Sequence, residues 1–199
     1  MDGIGWAASA MSAARTRLDV AAENLANGST DGFRKSTLRG YLTAAGVSLR
    51  RDLDATQGAL RRTGREFDLA IVGKGTFRVR DDGGLVATRR GAFVRDRFGR
   101  LVDDAGRILM GMRGPLHVPD GARIESSGAV KRNGVEIDRI ALPSGSSIRS
   151  EFLESSNVDA IGEMVDVLSA QRSFETAQKV LTSIDSTRER ASTQVGQLK

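Results

Sequence analysis

Apolar positions toward the C-terminus, Val167, Ala170, Phe174, Ala177, Leu181 and Ile184, recur at alternating intervals of three and four residues. That spacing puts them in one stripe and predicts an α-helix from Ser156 to about Arg188. Ser156 followed by Asp159 has capping-box spacing, in which a hydroxyl and a carboxylate satisfy N–H groups of the first turn. Glu154, Asp159, Glu163 and Asp166 come early and Lys179, Arg188 and Arg190 late, an order that suits the helix dipole. Glu175 and Lys179 add a favourable i,i+4 pair. At the other end of the chain Ile4, Ala7, Met11, Ala14, Leu18, Ala21 and Leu25 repeat the same interval. Asn27-Gly28 follows as a pair suited to the left-handed conformation that ends a helix. Both stripes alternate large residues with alanine over much of their length, so the two helices are expected to pair closely as a coiled coil.

The stretch between them changes period. After the N-terminal helix, 1–30, the segment 31–60 reads as an extended connector: Gly-Ser-Thr-Asp-Gly at 28–32 is turn chemistry, and Phe33 to Ser48 shows no sustained repeat. A β module spans 61–143, with strands expected at Leu69 to Val72, Phe77 to Arg80, Leu85 to Thr88, Ala92 to Arg95 and Val135 to Leu142. Asp81-Asp82-Gly83-Gly84 joins two of them, and Asn133-Gly134 centres a type I′ hairpin. Asp96 to Gly99 and Asp103 to Gly106 repeat similar punctuation, which favours antiparallel hairpins over βαβ units. Pro143-Ser144-Gly145-Ser146-Ser147 opens a linker, and 144–199 carries the chain into the C-terminal helix. The expected fold class is α+β, two long terminal helices paired as a coiled coil with a small, mostly antiparallel β module between them.

Composition narrows the chemistry. With 23 glycines, 3 prolines, 39% apolar and 5% aromatic residues, the chain suits many turns and a modest core. The net charge of +5 comes from 30 basic residues dispersed among 25 acidic ones, not run together. Without cysteine there is no disulfide, thiolate metal site or cysteine nucleophile. His117 is the only histidine and predicts a strand or turn residue, not a base or ligand. Gly73-Lys74-Gly75-Thr76 departs from a phosphate loop, with Asp68 and Gly75 where glycine and a hydroxyl residue are needed, and reads as a turn. Arg89, Arg90, Arg95, Arg97 and Arg100 have Phe93 and Phe98 among them; on alternating strands the aromatics should face inward and the arginines outward. That face is expected to be solvated or to contact protein, with nucleic-acid binding as the competing class. The N-terminus lacks the basic and apolar regions of a cleaved signal, and no stretch reaches the roughly 18 apolar residues of a membrane span.

Ala22-Glu23-Asn24-Leu25-Ala26-Asn27, then Thr30, Gly32, Phe33 and Arg34, closes the first helix. Leu153-Glu154-Ser155-Ser156-Asn157-Val158-Asp159, then Glu163-Met164 and Ala170-Gln171-Arg172-Ser173-Phe174-Glu175, opens the second. Both stretches resemble the terminal signatures of the flagellar axial family, the rod and hook proteins of the bacterial basal body. Gln57-Gly58, Thr63-Gly64, Asp68-Leu69-Ala70-Ile71, Thr88-Arg89-Arg90-Gly91-Ala92-Phe93 and Gly99-Arg100-Leu101-Val102 are similar to the β module of that family's rod proteins. The chain departs from the pattern at Thr76, Arg65 and Arg90, and in a short stretch between Leu142 and Leu153. The resemblance implies a structural rod subunit, not an enzyme and without cofactor or metal, that assembles into a helical tube through its terminal helices. A hook or hook-junction subunit is the alternative within the family. Implied partners are copies of itself, other rod and hook proteins, the rings around the rod and the flagellar type III export apparatus, with no nucleic acid and no membrane insertion. The implied location is the basal body in the periplasmic space, reached without a cleaved signal peptide. Because a lone seam gains its burial energy only beside a neighbour, the terminal segments are expected to order on joining the structure.

Overall fold

The computed structural model describes residues 3–43 and 46–196, without the side chains of 191–196. The chain divides into two compact units, each assembled from separated segments: residues up to 28 with 35–54 and the chain from 158 onward, and residues 29–34 with 55–157. The architecture is α+β with antiparallel sheets throughout.

The first unit contains helix α1 (Gly3–Ala26), strands β1 (Ser36–Thr43) and β2 (Gly46–Leu53), and, at the far end of the sequence, helix α2 (Ala160–Gly196). Alanine-rich α1 ends at the predicted place, but by another device. Asn27 N–H and Gly28 N–H bond the carbonyls of Asn24 and Leu25, each 3.1 Å, tightening the last turn, and neither residue takes positive φ. The segment read as a connector is a regular hairpin, Ser36 opposite Leu53 and Thr43 opposite Gly46. It lies along α1, where Ser9 Oγ accepts the Val47 N–H at 2.8 Å. A Cβ on Gly46 (φ 110°) would sit 2.3 Å from that oxygen.

The second unit holds β3 (Leu60–Arg62), β4 (Leu69–Val72), β5 (Phe77–Asp81), β6 (Gly84–Thr88), β7 (Val94–Arg95), β8 (Leu101–Val102), β9 (Ile108–Leu109), β10 (Arg123–Ile124), β11 (Ala129–Arg132), β12 (Val135–Arg139), β13 (Ser147–Ser150) and β14 (Phe152–Glu154). A five-stranded sheet runs β6-β5-β9-β8-β7, a three-stranded one β10-β11-β12, and β13 and β14 pair with β4 and β3. Leu69, Ile71, Phe77, Val79, Leu101, Leu116 and Val130 are fully buried in one core, with Phe77 edge-on to Phe93 at 5.4 Å. Asn133 (φ 51°) and Gly134 (φ 80°) form the left-handed pair expected of a type I′ turn. Asp96 and Asp103 build two like loops. Each carboxylate accepts N–H groups two and four residues on, and each holds the Nε of an arginine, Arg100 at 2.8 Å and Arg107 at 2.7 Å.

Four further sequence expectations need correction. The predicted linker turns at Ser146 and Gly145, but from Ser147 it is strand, because β13 and β14 complete sheets with β4 and β3. Helix α2 starts at Ala160, not Ser156. Ser155 N–H is taken by the Ala59 carbonyl and Asn157 N–H by that of Phe33, so Asp159 becomes the cap, its Oδ1 accepting the Ile161 N–H at 3.2 Å. Arg89 points inward, 4% exposed, to meet a buried carboxylate. Phe98 points outward, 58% exposed, with the guanidinium carbons of Arg97 and Arg100 at 4.8 and 5.0 Å from its ring centroid.

Candidate assembly surface

Two faces of the terminal helices and two buried polar knots account for the signature residues. Along α1, Ala7, Ala14 and Ala21 are buried and Ile4, Met11, Leu18 and Leu25 half-buried. Along α2, Ala170 and Ala177 are buried and Val167, Phe174, Leu181 and Ile184 half-buried. The helices pack antiparallel. A Cβ on Gly3 would lie 3.2 Å from Ile184 Cδ1 at one end, and Asn24 bonds Glu163 at the other. The two contacts are the same number of residues apart on both helices, so one register holds throughout. In that register the two seams meet within one residue of level, Ala7 near Leu181, Met11 near Ala177, Ala14 near Phe174, Leu18 near Ala170 and Ala21 near Val167.

Helix α2 carries a second stripe that the periodic reading missed. Ile161 (76% exposed), Met164, Val165 and Leu168 lie in solvent off the seam. Their own four-and-three spacing is visible in the sequence, although polar neighbours obscure it. Gln171 and Arg172 of the signature lie exposed on the same helix. On α1, Trp6 is the large apolar residue exposed in a like way.

The first knot belongs to the helical unit. Asn24, 1% exposed, accepts the Ser36 N–H on Oδ1 at 2.8 Å, and its Nδ2 donates to the Ser36 carbonyl at 2.9 Å and to Glu163 Oε2 at 3.1 Å. Ser36 Oγ in turn accepts Arg51 Nε at 2.8 Å, and Arg51 pairs with Glu23 at 2.6 Å. Asn24 and Ser36 are thus satisfied out of water, and Glu163 takes the Asn24 amide on one carboxylate oxygen.

The second knot belongs to the β unit and centres on Glu154, 2% exposed. Its Oε2 takes Arg89 at 3.0 Å, and its Oε1 takes the Gly58 N–H at 3.3 Å with Arg34 at 3.8 Å. Arg89 also donates to the Ile71 carbonyl at 2.7 Å and to that of Gly73. Burial pushes the Arg89 pKa down, the Glu154 charge pushes it back up, and Arg34 adds a further downward push. Around the pair, the Gly32 N–H bonds the Glu154 carbonyl at 2.6 Å, and Asn157 reaches Thr56 with its side chain at 3.1 Å. Gly32 takes φ 70° and its Cβ position lies 2.5 Å from the Arg89 backbone, so no other residue fits. Gly32, Phe33, Glu154 and Asn157 of the signatures therefore meet here, with Leu153 buried beside them. Of the other signature residues, Asn27, Thr30, Ser156 and Val158 are half-buried. Arg89, Ser36 and Arg51 are the participants that sequence reasoning did not single out as site residues.

Among the described residues no group of three or more His, Asp or Glu could hold a metal ion, and no helix is long and apolar enough to cross a membrane. His117 sits exposed, its Nδ1–H donating to the Pro115 carbonyl at 3.0 Å. The buried side chains of Asn24, Arg89 and Glu154 tie together segments far apart in sequence.

Two family models match at the ends of the chain: "Flagella basal body rod protein" over residues 4–34 and "Flagellar basal body rod FlgEFG protein C-terminal" over residues 149–194. The flagellar basal-body rod protein FlgF of Escherichia coli is 31% identical over 239 residues, spanning 92% of this chain and 94% of that protein. FlgG of Bacillus subtilis, also a rod protein, is 29% identical with 86% and 90% covered. The flagellar hook protein FlgE of Brucella melitensis is 34% identical, but the match spans 72% of this chain and only 38% of the hook protein. The chain belongs to the flagellar basal-body rod and hook family, whose members are structural proteins without enzymatic activity.

Proposed function

We propose that the chain is a structural subunit of the flagellar basal-body rod, held to neighbouring copies and to other rod and hook proteins through its terminal helices. The reading makes α1 and α2 a short antiparallel coiled coil. The seam residues Ile4 to Leu25 and Val167 to Ile184 close each subunit, and the second stripe of α2 meets the next one. The observation that carries it is the stripe Ile161, Val165 and Leu168, left in solvent on a helix whose other face is already covered. Burying these three with Met164 is worth roughly 1.5–3 kcal/mol per side chain, enough to drive association once several neighbours form. Such a contact joins unlike surfaces and propagates without closing, as a tube requires. Near-full coverage of the rod relatives, against a minor share of the hook protein, supports the rod over the hook. On this reading the subunit lies in the cell envelope within the rings and arrives through the flagellar export apparatus without a cleaved signal. Its terminal helices complete their order on joining. Val165→Asp with Leu168→Asp tests the stripe by placing two charges where a neighbour must seat. The variant should fold with the parent's melting temperature and fail to enter basal bodies; normal incorporation would remove the stripe from the interface.

A further inference from the structure

The apolar seam, taken alone, does not choose one register. Slide α2 by one heptad and Ala7 comes level with Phe174, Met11 with Ala170, Ala14 with Val167 and Ile4 with Ala177. These alanines still face larger side chains, and Ala21 comes level with Ala160. A slip the other way sets Ala14 by Leu181, Leu18 by Ala177, Ala21 by Phe174 and Leu25 by Ala170, with Met11 against Ile184 and Ala7 against Arg188 mismatched. Over the middle of the seam, complementary packing is kept in all three registers.

Glu163 breaks the degeneracy. It continues the seam four residues before Val167, a charge at a position where the pattern elsewhere puts apolar residues, and it is buried. Opposite it stands Asn24, whose amide is fixed in advance by α1's own unit. Ser36 N–H and carbonyl hold its oxygen and one of its N–H groups, leaving the second N–H aimed at α2. Only the observed register delivers a carboxylate to that donor. In the first slip the Asn24 N–H loses its acceptor while Glu163 comes level with Arg17, and in the second the Asn24 N–H faces Ala170 with no acceptor. We infer that Asn24 and Glu163 are positioning residues that set the register of the terminal helices, and through it the placement of every assembly side chain on α2. The inference rests on the helix-pair reading above. A buried asparagine that selects one alignment at a cost in stability is a known physical device in paired helices.

The natural chain has no cysteine, so paired cysteines report register cleanly. Gly3→Cys with Ile184→Cys reads the observed alignment, and Gly3→Cys with Ala177→Cys, or Ala10→Cys with Ile184→Cys, reads the two slips. Each pair is oxidised in the purified full-length chain and its disulfide yield compared with the same chain in urea. In the otherwise natural sequence the first pair should exceed the slipped pairs by about tenfold or more. In Asn24→Leu/Glu163→Leu, which suits all three registers, the slipped pairs should rise to within a few-fold of the first while the helical circular dichroism signal is kept. Glu163→Gln, which retains an acceptor for the Asn24 amide, should hold the observed register, and slippage in it would overturn the hydrogen-bond account. A double variant that still forms only the first disulfide overturns the inference alone. A double variant that loses all three disulfides with its helical signal also overturns it, since the pair would then be needed for folding and not for alignment. If even the natural sequence shows no preference among the pairs, the helix-pair reading falls as well.

Discussion

Replacing Arg89 by methionine keeps most of the aliphatic stem and removes the guanidinium. Glu154 would be left 2% exposed with the Gly58 N–H at 3.3 Å and Arg34 no nearer than 3.8 Å, while the Gly73 carbonyl loses its side-chain donor and the Ile71 carbonyl keeps only Gln57 Nε2, at 2.6 Å. Breaking a buried ion pair from one side costs about 3–5 kcal/mol, because the remaining charge stays out of water without compensation. A unit of this size shifts by several degrees per kcal/mol, so the melting transition should fall by roughly 15–25 °C. Calorimetry on the full chain reads the shift. The double variant Arg89→Met/Glu154→Leu supplies the control, since with no orphaned charge it should recover at least half of the loss. A single variant that melts within about 1 kcal/mol of the parent, or a double variant no better than the single, would refute the view that Glu154 and Arg89 are each other's main solvation.

Two other outcomes follow from local geometry. Gly32→Ala should destabilise by well over the roughly 1 kcal/mol expected of Gly106→Ala, since both glycines have positive φ but only Gly32 faces backbone at 2.5 Å; thermal melts of the two variants decide it. Asp96 is subject to a desolvation push upward, outweighed by hydrogen bonds from the Arg100 backbone and side chain and the Phe98 N–H, which hold its pKa below the usual value. A carboxylate with a depressed folded pKa adds stability present above its unfolded value near pH 4 and lost as pH falls through the folded one. Chemical denaturation between about pH 5 and 2 should therefore fall less steeply in Asp96→Asn than in the parent.

What was legible in the sequence was what repeats locally. Each seam position on α1 and α2 lies buried or half-buried, because a period of three and four over several turns leaves one face to pack. Leu69 to Val72 and Phe77 to Thr88 were legible as strands because apolar runs are cut by glycine turns. Strands β8, β9 and β10 are two residues each, too short to carry a period, and in the β1–β2 hairpin Ser36, Gly40 and Arg51 interrupt the face that carries its four leucines. Strands β13 and β14 take partners far away in sequence, so only the fold reveals them. The same distance hides the knots. Arg89 sits in a basic run that reads as solvated, and its carboxylate lies 65 residues on. The terminal signatures pointed to Asn24, Gly32 and Glu154 as residues without showing that two separate buried networks hold them.

The central claim is that this chain is built into the rod, and peptide mass spectrometry on detergent-extracted hook–basal bodies tests it most directly. Particles from a motile strain should contain its peptides, and a strain lacking the gene should yield truncated rods without hooks. Particles devoid of the protein, with rods, hooks and motility intact in the deletion, would contradict the account.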